Sequence, residues 1–280
     1  MKISLIINTY NRTDFLEKSL TSIAAQSILP DELIIADDGS SEDLVAVAKK
    51  YKKMINIPIK YVTQADSGFR LARCRNNGVR EASGDFLIFL DQDLIFTKNF
   101  VKTFSENIKV NYFTVGWPIR STEEQLNKLT FEKIENFDFT HIFTNQQVAK
   151  VKKQFKKDRT YRILNCVKLR KHGTKFRGGV VGIFKDDYIK INGYDENYIG
   201  WGNEDDDFGR RLYYSGVRGI NPFNTDFSIH LWHPLNHDNG ERINSKHHKE
   251  KAAKLNKNNY ICQYGYNNTL GEDKYNVVEI

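Results

Sequence analysis

Short apolar runs alternate with amphipathic segments through the first hundred residues. Four of these runs are almost continuously apolar, as is typical of strands buried on both faces, and they span residues 2–8, 32–36, 57–63 and 85–90. Helical spacing follows the first three runs, and Thr13 or Asp14 is placed to cap the first helix. The alternation predicts an α/β fold with a mostly parallel central sheet flanked by helices.

The pattern weakens beyond residue 100. Residues 120–175 are basic and aromatic with little periodicity, whereas residues 178–184 again form a strand-like run. We predict a helix that opens at Asn203 and stops at Gly216. A second, basic helix is predicted at residues 245–255, within a polar C-terminal stretch.

The composition is that of one large globular domain. Of the 280 residues, 40% are hydrophobic and 28% are charged. No apolar run approaches the roughly 20 residues that span a bilayer. No signal-peptide pattern precedes the first strand, so we expect a cytoplasmic protein. Cys74, Cys166 and Cys262 are scattered and odd in number, which argues against a disulfide framework or a zinc ribbon and favours buried or idle thiols.

Positive charge is concentrated in one segment of a chain whose net charge is +7. Residues 150–177 contain twelve Lys or Arg residues and a single acid, Asp158. Such a block can bind nucleic acid, an anionic membrane surface or an acidic substrate. The alternative is a solvated, mobile loop.

Polar clusters follow three of the predicted strands, at the sheet edge where ligands of parallel sheets bind. They lie at residues 8–10, 37–38 and 91–93. Asp91 and Asp93 can together hold a divalent cation and the diphosphate that it bridges, although a turn or capping role is the alternative. The chain has neither a P-loop nor a strand-linked G-x-G-x-x-G, so a metal ion is the natural way to hold a diphosphate.

Two further groups of titratable residues stand in the second half. Four consecutive acids lie at residues 204–207 and repel one another. This repulsion tends to raise the pKa of one of the four carboxylates, and a carboxylate with a raised pKa is suited to act as a general base. Helix chemistry is the alternative, with Asn203 as N-cap and acids favoured by the helix dipole. His230 and His233 could complete a metal site only if their strand bends, which Pro234 allows.

Several other polar residues have an ordinary structural interpretation. Arginines around the third predicted helix could clamp phosphate but more often form a solvated helix face, and these are Arg70, Arg73, Arg75 and Arg80. Structural hydrogen bonding is expected of the remaining histidines considered, namely His237, His247 and His248.

Taken in order, these stretches resemble the family 2 glycosyltransferases of the GT-A fold. That match runs through residues 6–12, 33–40 and 68–78 and ends at the D-x-D of residues 91–93. The second half looks like the C-terminal region of β-1,4-galactosyltransferases and bacterial chondroitin-type polymerases. The segments that carry this second likeness begin at Gly178-Gly179 and continue at residues 192–196, 201–207 and 230–233.

The resemblance implies a GT-A fold with a C-terminal acceptor-binding subdomain. Residues 1–118 would form the nucleotide-sugar-binding half, and residues 119–177 a basic insertion. Residues 178–240 would form the acceptor-binding and catalytic half, followed by a C-terminal tail at residues 241–280. All four parts would belong to one integrated catalytic domain.

The resemblance also implies a role for each candidate residue. A UDP-sugar donor would be bound by Thr9, Tyr10, Arg12, Asp38, Arg70, Asp91 and Trp201. Mn²⁺ (or Mg²⁺) would be coordinated by Asp93 and His233, and His230 falls where the galactosyltransferases place a second ligand of another type, which leaves its role open. Asp205 would deprotonate the acceptor and Glu204 would hydrogen-bond it.

The implied activity is metal-dependent, inverting transfer of a hexose or N-acetylhexosamine to a glycan or glycolipid, in bacterial surface polysaccharide or lipooligosaccharide synthesis. Residues 150–177 would dock either an anionic glycan or the anionic inner face of the membrane, and no nucleic acid partner is expected. Two alternatives stay open. One is a sugar-nucleotide pyrophosphorylase, which would need a glycine-rich basic loop after the first strand. The other is a catalytically inactive sugar- or polyanion-binding protein.

Overall fold

A computed structural model describes residues 1–234, 243–272 and 274–280. Its strands, in chain order, are β1 (Ile3–Thr9), β2 (Glu32–Asp37), β3 (Ile59–Gln64), β4 (Phe86–Asp91), β5 (Leu94–Phe96), β6 (Tyr112–Val115), β7 (Ile119–Arg120), β8 (Val180–Phe184), β9 (Arg218–Ile220), β10 (Ser228–His230) and β11 (Tyr275–Glu279). Its α-helices are α1 (Thr13–Ala24), α2 (Leu44–Lys52), α3 (Leu71–Glu81), α4 (Phe100–Glu106), α5 (Glu123–Asn127), α6 (Phe131–Glu135), α7 (Asn145–Cys166), α8 (Lys185–Lys190), α9 (Glu204–Ser215) and α10 (Ser245–Lys254).

The large sheet has the strand order β11-β3-β2-β1-β4-β8-β6-β9. Strands β3, β2, β1 and β4 are parallel, which confirms the predicted α/β architecture with a mostly parallel sheet. The register pairs Thr9 with Asp37 and Asn8 with Asp91. The three polar clusters predicted at strand ends therefore meet at one edge of the sheet.

Antiparallel strands complete the sheet on both sides of this parallel centre. Strand β8 pairs with β4, and β11 pairs with β3. The stretch that we set apart as a C-terminal tail thus supplies an edge strand of the main sheet. Its predicted boundary at residues 240 and 241 lies outside the described residues, as does His237.

A second, small sheet has the order β5-β10-β7. Strand β10 runs antiparallel to β5, and this register places His230 opposite Leu94, the residue after Asp93. Strand β7 pairs with the other edge of β10. Apolar residues of α6 and α7 pack on this sheet in a core of its own.

Apolar side chains cover both faces of the large sheet. Helices α1, α2 and α4 pack on one face, and α3, α8 and α9 pack on the other. Helix α3 lies especially close to the sheet, because a Cβ at Gly78 would lie 3.0 Å from Cγ2 of Ile6 and 3.1 Å from Cβ of Ala36. Each additional methylene at such a contact would displace the helix.

The predicted cap of the first helix is wrong. Helix α1 starts at Thr13, but neither Thr13 nor Asp14 caps it, and Arg12 occupies the N-cap position with a left-handed backbone. The carboxylate of Glu42 instead accepts hydrogen bonds from the amides of Arg12 at 2.9 Å and Thr13 at 2.7 Å. The orphan donors of the helix are therefore satisfied by a residue about 30 positions away.

The loop interpretation of the basic segment is also wrong for most of its length. Residues 145–166 form the 22-residue helix α7, which opens with a capping box between Thr144 and Gln147. Only Val151 and Asp158 are buried along it. Asp158, the single acid of the segment, lies 3.5 Å from Arg177 and accepts a hydrogen bond from Asn221 at 3.0 Å.

The structure bears on two further features of the sequence, the three cysteines and the length of its apolar segments. Cys74 and Cys262 are buried free thiols, and Cys166 is exposed. Among the described residues, no helix combines the length and the apolar character that a bilayer crossing requires.

Candidate active site

Three side chains from distant parts of the chain meet at the carboxyl edge of the sheets. Nε2 of His230 lies 3.3 Å from Oδ2 of Asp93, and Nε2 of His233 lies 3.1 Å from the same oxygen. The three potential ligand atoms all lie within 4.8 Å of one another. Strand β10 ends at His230, so His233 lies beyond the strand, and both histidines can face the same oxygen of Asp93.

The chemistry of this cluster fits a divalent cation. Nδ1 of His233 lies 2.9 Å from the carbonyl oxygen of Pro234, which can only accept a hydrogen bond. In the neutral ring the proton is therefore on Nδ1, and the lone pair of Nε2 is directed at the carboxylate of Asp93. The other oxygen of that carboxylate, Oδ1, is buried and has no hydrogen-bond partner among the residues that the structure describes. The lone pairs of the His233 nitrogen and the Asp93 carboxylate therefore face one another across a short distance, and a cation between them would bind to both.

The two histidines differ in their electrostatic surroundings. When its ring is protonated, His233 can donate a hydrogen bond from Nε2 to Asp93, and this is the main cause that raises the pKa of His233. Desolvation is the main cause that lowers the pKa of His230, despite the attraction of Asp93. A neutral His230 is the form that can donate a lone pair to a metal.

Arg75 joins the D-x-D to the acidic helix. Its guanidinium lies 2.9 Å from Oδ1 of Asp205 and 3.4 Å from Oδ1 of Asp91, and only 1% of the Arg75 side chain is exposed. The guanidinium also lies 4.8 Å from the ring centroid of Tyr194. Arg70 and Arg73 are buried as well, so the predicted solvated face of this helix is wrong for these three arginines.

Gly178 and Gly179 bring β8 up to these carboxylates. A Cβ at Gly178 would overlap Asp205, and a Cβ at Gly179 would lie 2.6 Å from Oδ2 of Asp91. The amide of Gly178 instead donates to Oδ2 of Asp205 at 2.9 Å. Glycine is therefore needed at both positions for the close approach of the backbone.

The four consecutive acids at the start of α9 have separate environments. Asp206 binds Arg210 at 2.7 Å and Lys175 at 3.3 Å. Asp207 binds Arg211 at 2.7 Å. These two acids have structural partners, so only part of the run is left for chemistry. Asn203 occupies the N-cap position, with φ 75°, but its side chain does not cap the helix as predicted.

Glu204 and Asp205 remain, and they differ in accessibility. Asp205 accepts hydrogen bonds from Arg75, from the hydroxyl of Tyr194 at 3.0 Å and from Gly178, while 32% of its side chain stays exposed. Glu204 is only 8% exposed, and its Oε2 is buried with no hydrogen-bond partner in the described ranges 1–234, 243–272 and 274–280. Desolvation by burial, reinforced by repulsion from Asp205, raises the pKa of Glu204 to about 7.

The predicted donor-binding residues lie along the same sheet edge. The hydroxyl of Thr9 donates to Oε1 of Gln92, the middle residue of the D-x-D, and the amide of Tyr10 donates to the same oxygen at 3.3 Å. Asp38 is buried and accepts a hydrogen bond from the amide of Arg70 at 2.7 Å. Desolvation raises the pKa of Asp38 to about 6.

The remaining predicted donor residues are closer to the surface. Tyr10 is exposed, and its hydroxyl donates to Asp66 at 3.2 Å. Arg12 lies over the ring of Phe15, which is 6.2 Å from the ring of His233, so this arginine stands beside the candidate metal ligands. Trp201 is 36% exposed in the loop that leads into α9.

Sequence reasoning missed three residues that shape this site. Arg75, Gln92 and Tyr194 each contact a predicted site residue but were not assigned to the site. The signal for Gln92 was its place between the two acids of the D-x-D. Nothing in the local pattern distinguishes Arg75 from its neighbouring arginines.

Comparison with known proteins gives matches over most of the chain. The family model described as glycosyl transferase family 2 matches residues 4–171, and the model described as the N-terminal domain of galactosyltransferase matches residues 158–234. Chondroitin synthase of Escherichia coli is 34% identical over 76% of this chain and 32% of its own length. Chondroitin synthase of Pasteurella multocida (strain Pm70) is 30% identical over 76% of this chain and 23% of its own length.

A further relative is validoxylamine A glucosyltransferase of Streptomyces hygroscopicus subsp. limoneus, which is 27% identical over 77% of this chain and 48% of its own length. The chain thus spans between about a quarter and a half of the length of these three relatives.

Solved structures with similar folds are GT-A glycosyltransferases, which confirms the predicted fold. GalNAc-T7 with UDP, GalNAc and Mn²⁺ has a TM-score of 0.57 and 16% identity, covering 87% of this chain and 45% of that chain. The mannosyltransferase PcManGT of Pyrobaculum calidifontis, with GDP-Man and Mn²⁺, has a TM-score of 0.55 and 12% identity. The match covers 84% of this chain and 58% of the mannosyltransferase chain. S. aureus TarS 1-349 with UDP has a TM-score of 0.52 and 18% identity. The match covers 79% of this chain and 57% of the TarS chain.

Proposed function

Because the chain belongs to glycosyl transferase family 2, we propose that it transfers a hexose or N-acetylhexosamine from a UDP-sugar to a carbohydrate acceptor, with inversion of the anomeric carbon. The observation that carries this proposal is the convergence of Asp93, His230 and His233 at the sheet edge that also presents Asp91. Neighbours solved with UDP, UDP-GlcNAc or GDP-Man support a nucleotide-sugar donor.

Asp205 is the general base of the proposed reaction. Its carboxylate takes the proton of the acceptor hydroxyl, the acceptor oxygen bonds to C1 of the sugar, and UDP leaves with the electron pair of the C1–O bond. One displacement of this kind inverts the configuration at C1. The greater exposure of Asp205 supports this choice over Glu204, because the base must reach the reacting hydroxyl itself, whereas the small exposed part of Glu204 need only contact a neighbouring group of the acceptor.

Glu204 has a complementary role in this proposal. With a pKa raised to about 7, it is partly protonated near neutral pH and can donate a hydrogen bond to the acceptor. Arg75 holds Asp205 in place from the buried side and offsets its charge. Trp201, partly exposed in the loop that leads into α9, offers a ring on which a sugar can stack.

Asp93, His230 and His233 would hold Mn²⁺ or Mg²⁺. A cation there would neutralise the diphosphate as it leaves. The neighbours solved with Mn²⁺ support a divalent ion. On the donor side, Thr9, Tyr10, Arg12, Asp38 and Arg70 would bind the nucleotide, since they line the same sheet edge.

The proposal is tested by incubating the protein with a panel of UDP-sugars and measuring UDP release with Mn²⁺ and with EDTA. We expect release that requires the metal. Asp205→Asn should lower transfer about 10²- to 10⁴-fold, the usual contribution of a general base. Asp186→Asn is the matched control, because Asp186 is an exposed acid in the first turn of another helix, α8.

Two results would overturn the proposal. Near-normal turnover of Asp205→Asn would remove the base assignment, and UDP release that is unchanged in EDTA would remove the metal site. Absence of metal-dependent UDP release with every donor would favour the catalytically inactive binding protein.

We place the physiological acceptor among glycans or glycolipids of bacterial surface polysaccharide or lipooligosaccharide synthesis. Peripheral contact with an anionic membrane is part of this proposal, because Ile163, Val167 and Leu169 are exposed apolar residues next to basic ones. Vesicles with and without phosphatidylglycerol test this contact in a co-sedimentation assay. Equal binding to neutral and anionic vesicles would contradict it.

A further inference from the structure

A cavity of about 220 Å³ lies between α7 and α9 and reaches the proposed base. Asp205 and Asp206 form part of its wall on the α9 side. The opposite wall comes from α7 and the segment that follows it, and the ring of Tyr161 is part of that wall. The side chain that would deprotonate the acceptor thus shares one space with the basic segment.

Cationic side chains outnumber acids in this cavity. Its lining contains three carboxylates, Asp158, Asp205 and Asp206, against five cations, namely Lys157, Arg170, Lys175, Arg177 and Arg210. Each carboxylate already has an arginine partner, since Asp158 lies near Arg177, Asp205 near Arg75 and Asp206 near Arg210. Lys175 also has an acidic partner, because its Nζ lies 3.3 Å from Oδ1 of Asp206.

Lys157 and Arg170 are the two cations of the cavity without an acidic partner. In the part of the chain that the structure describes, neither lies within 4.0 Å of a carboxylate oxygen. Both contact the ring of Tyr161, with Nζ of Lys157 at 5.5 Å and the guanidinium of Arg170 at 3.7 Å from its centroid. The Nε of Arg170 donates to the carbonyl oxygen of His172 at 2.9 Å, which orients the guanidinium.

We propose that this cavity binds an anionic group of the acceptor, a sugar carboxylate or phosphate, through Lys157 and Arg170. This inference rests on the proposed function, since the acceptor is the molecule that must stand next to Asp205. Arginine and lysine bind such groups by charge-assisted hydrogen bonds. Both cations lie over the same aromatic ring, which brings their charges close together at the cavity wall.

The cavity favours a sugar over a lipid headgroup as the source of this anion. Its wall includes Asp205, so a molecule bound there can contact the proposed base. A bilayer would instead meet the exposed apolar residues Ile163, Val167 and Leu169, which do not line the cavity. Vesicle binding therefore serves as a contrasting outcome in the test.

The test compares methyl β-D-glucuronide, methyl β-D-glucoside and methyl β-D-glucoside 6-phosphate, which differ only at C6. Binding to the full chain is measured by titration calorimetry with Mn²⁺ and UDP present. We expect one or both anionic probes to bind about tenfold more tightly than the glucoside, the value of one or two partly exposed charge-assisted contacts. The two anionic probes distinguish a carboxylate site from a phosphate site.

The combined substitution Lys157→Ala and Arg170→Ala should abolish the preference for the anionic probes. Lys152→Ala is the matched control, because Lys152 is an exposed lysine of the same helix that does not line the cavity. Equal binding of all three probes would overturn the inference. So would a double variant that loses vesicle binding but keeps the preference.

UDP release is measured in the same preparations, so that failure of the acceptor inference can be distinguished from failure of the proposed function. Metal-dependent release without any anionic preference would refute only the acceptor inference. Absence of release with every donor would refute the proposed function, whatever the probes do.

Discussion

Replacement of Arg75 by methionine gives the sharpest test of how this site is held together. The guanidinium of Arg75 is buried between Asp205 and Asp91, at 2.9 and 3.4 Å. Methionine fills most of the same volume but removes the charge. The variant therefore leaves these two acids and the buried Glu204 close together without their shared cation.

The size of the effect follows from burial. Loss of one partner from a buried ion pair costs about 3–5 kcal/mol. Here the side chains of Asp205 and Asp91 keep 32% and 39% of their surface exposed, so water compensates in part. We expect the lower end, about 3 kcal/mol, which corresponds to a melting temperature lower by about 6–12 °C for a domain of this size.

Arg210→Met is the control, because Arg210 also pairs with an acid of α9. It lies 2.7 Å from Asp206 but is 41% exposed. Such a surface pair contributes less than about 1 kcal/mol. Both variants are compared by urea unfolding and by thermal melting followed by circular dichroism.

The deficit of Arg75→Met should also depend on pH. Without the guanidinium, the pKa values of the neighbouring acids rise in the folded protein, so protonation relieves their repulsion as the pH falls. The deficit should be smaller at about pH 5 than at about pH 8. A variant that loses no more stability than Arg210→Met, or a deficit that grows at low pH, would refute the reasoning.

Three further predictions concern the acids of α9. Burial raises the pKa of Glu204 from 4.5 to about 7, so the folded protein retains this proton and its stability falls between about pH 4.5 and 7; Glu204→Gln should remove that decline in urea unfolding. Gly178→Ala would force a Cβ into Asp205 and should abolish metal-dependent UDP release. Gly216→Ala, at a left-handed helix end with open space, should cost about 1 kcal/mol and keep the release. Tyr194→Phe removes the hydrogen bond to Asp205 and should cost about 1 kcal/mol and lower kcat, and unchanged values would contradict that role.

The parallel half of the fold could be predicted because its signal is local. Strands β1, β2 and β4 are buried along nearly their whole length, so their apolar residues are contiguous in the sequence. The strand-end rule then placed Asp91 and Asp93 at the ligand-binding edge. The family resemblance, confirmed by the relatives, added the roles of the individual residues, which remain predictions.

Features that depend on distant partners could not be predicted in the same way. Helix α7 has no apolar stripe, since it buries only Val151 and Asp158, so a pattern of hydrophobic residues cannot reveal it. Its capping box, Thr144 with Gln147, was the available signal. The burial of Arg75 could not be predicted either, because its ion-pair partner Asp205 is 130 residues away in the sequence.

The candidate metal site shows how backbone pairing fixes side chains that are remote in sequence. Strand β10 pairs with β5, and the amide of Leu231 donates to the carbonyl oxygen of Asp93 at 2.8 Å. This hydrogen bond ties the residue after His230 to the backbone of the D-x-D itself. His233 is held in turn by its contact with the carbonyl of Pro234. Because these ties are made by the protein alone, the three candidate ligands are already arranged in the metal-free protein, and a cation that bound there would not need to supply the free energy to order them.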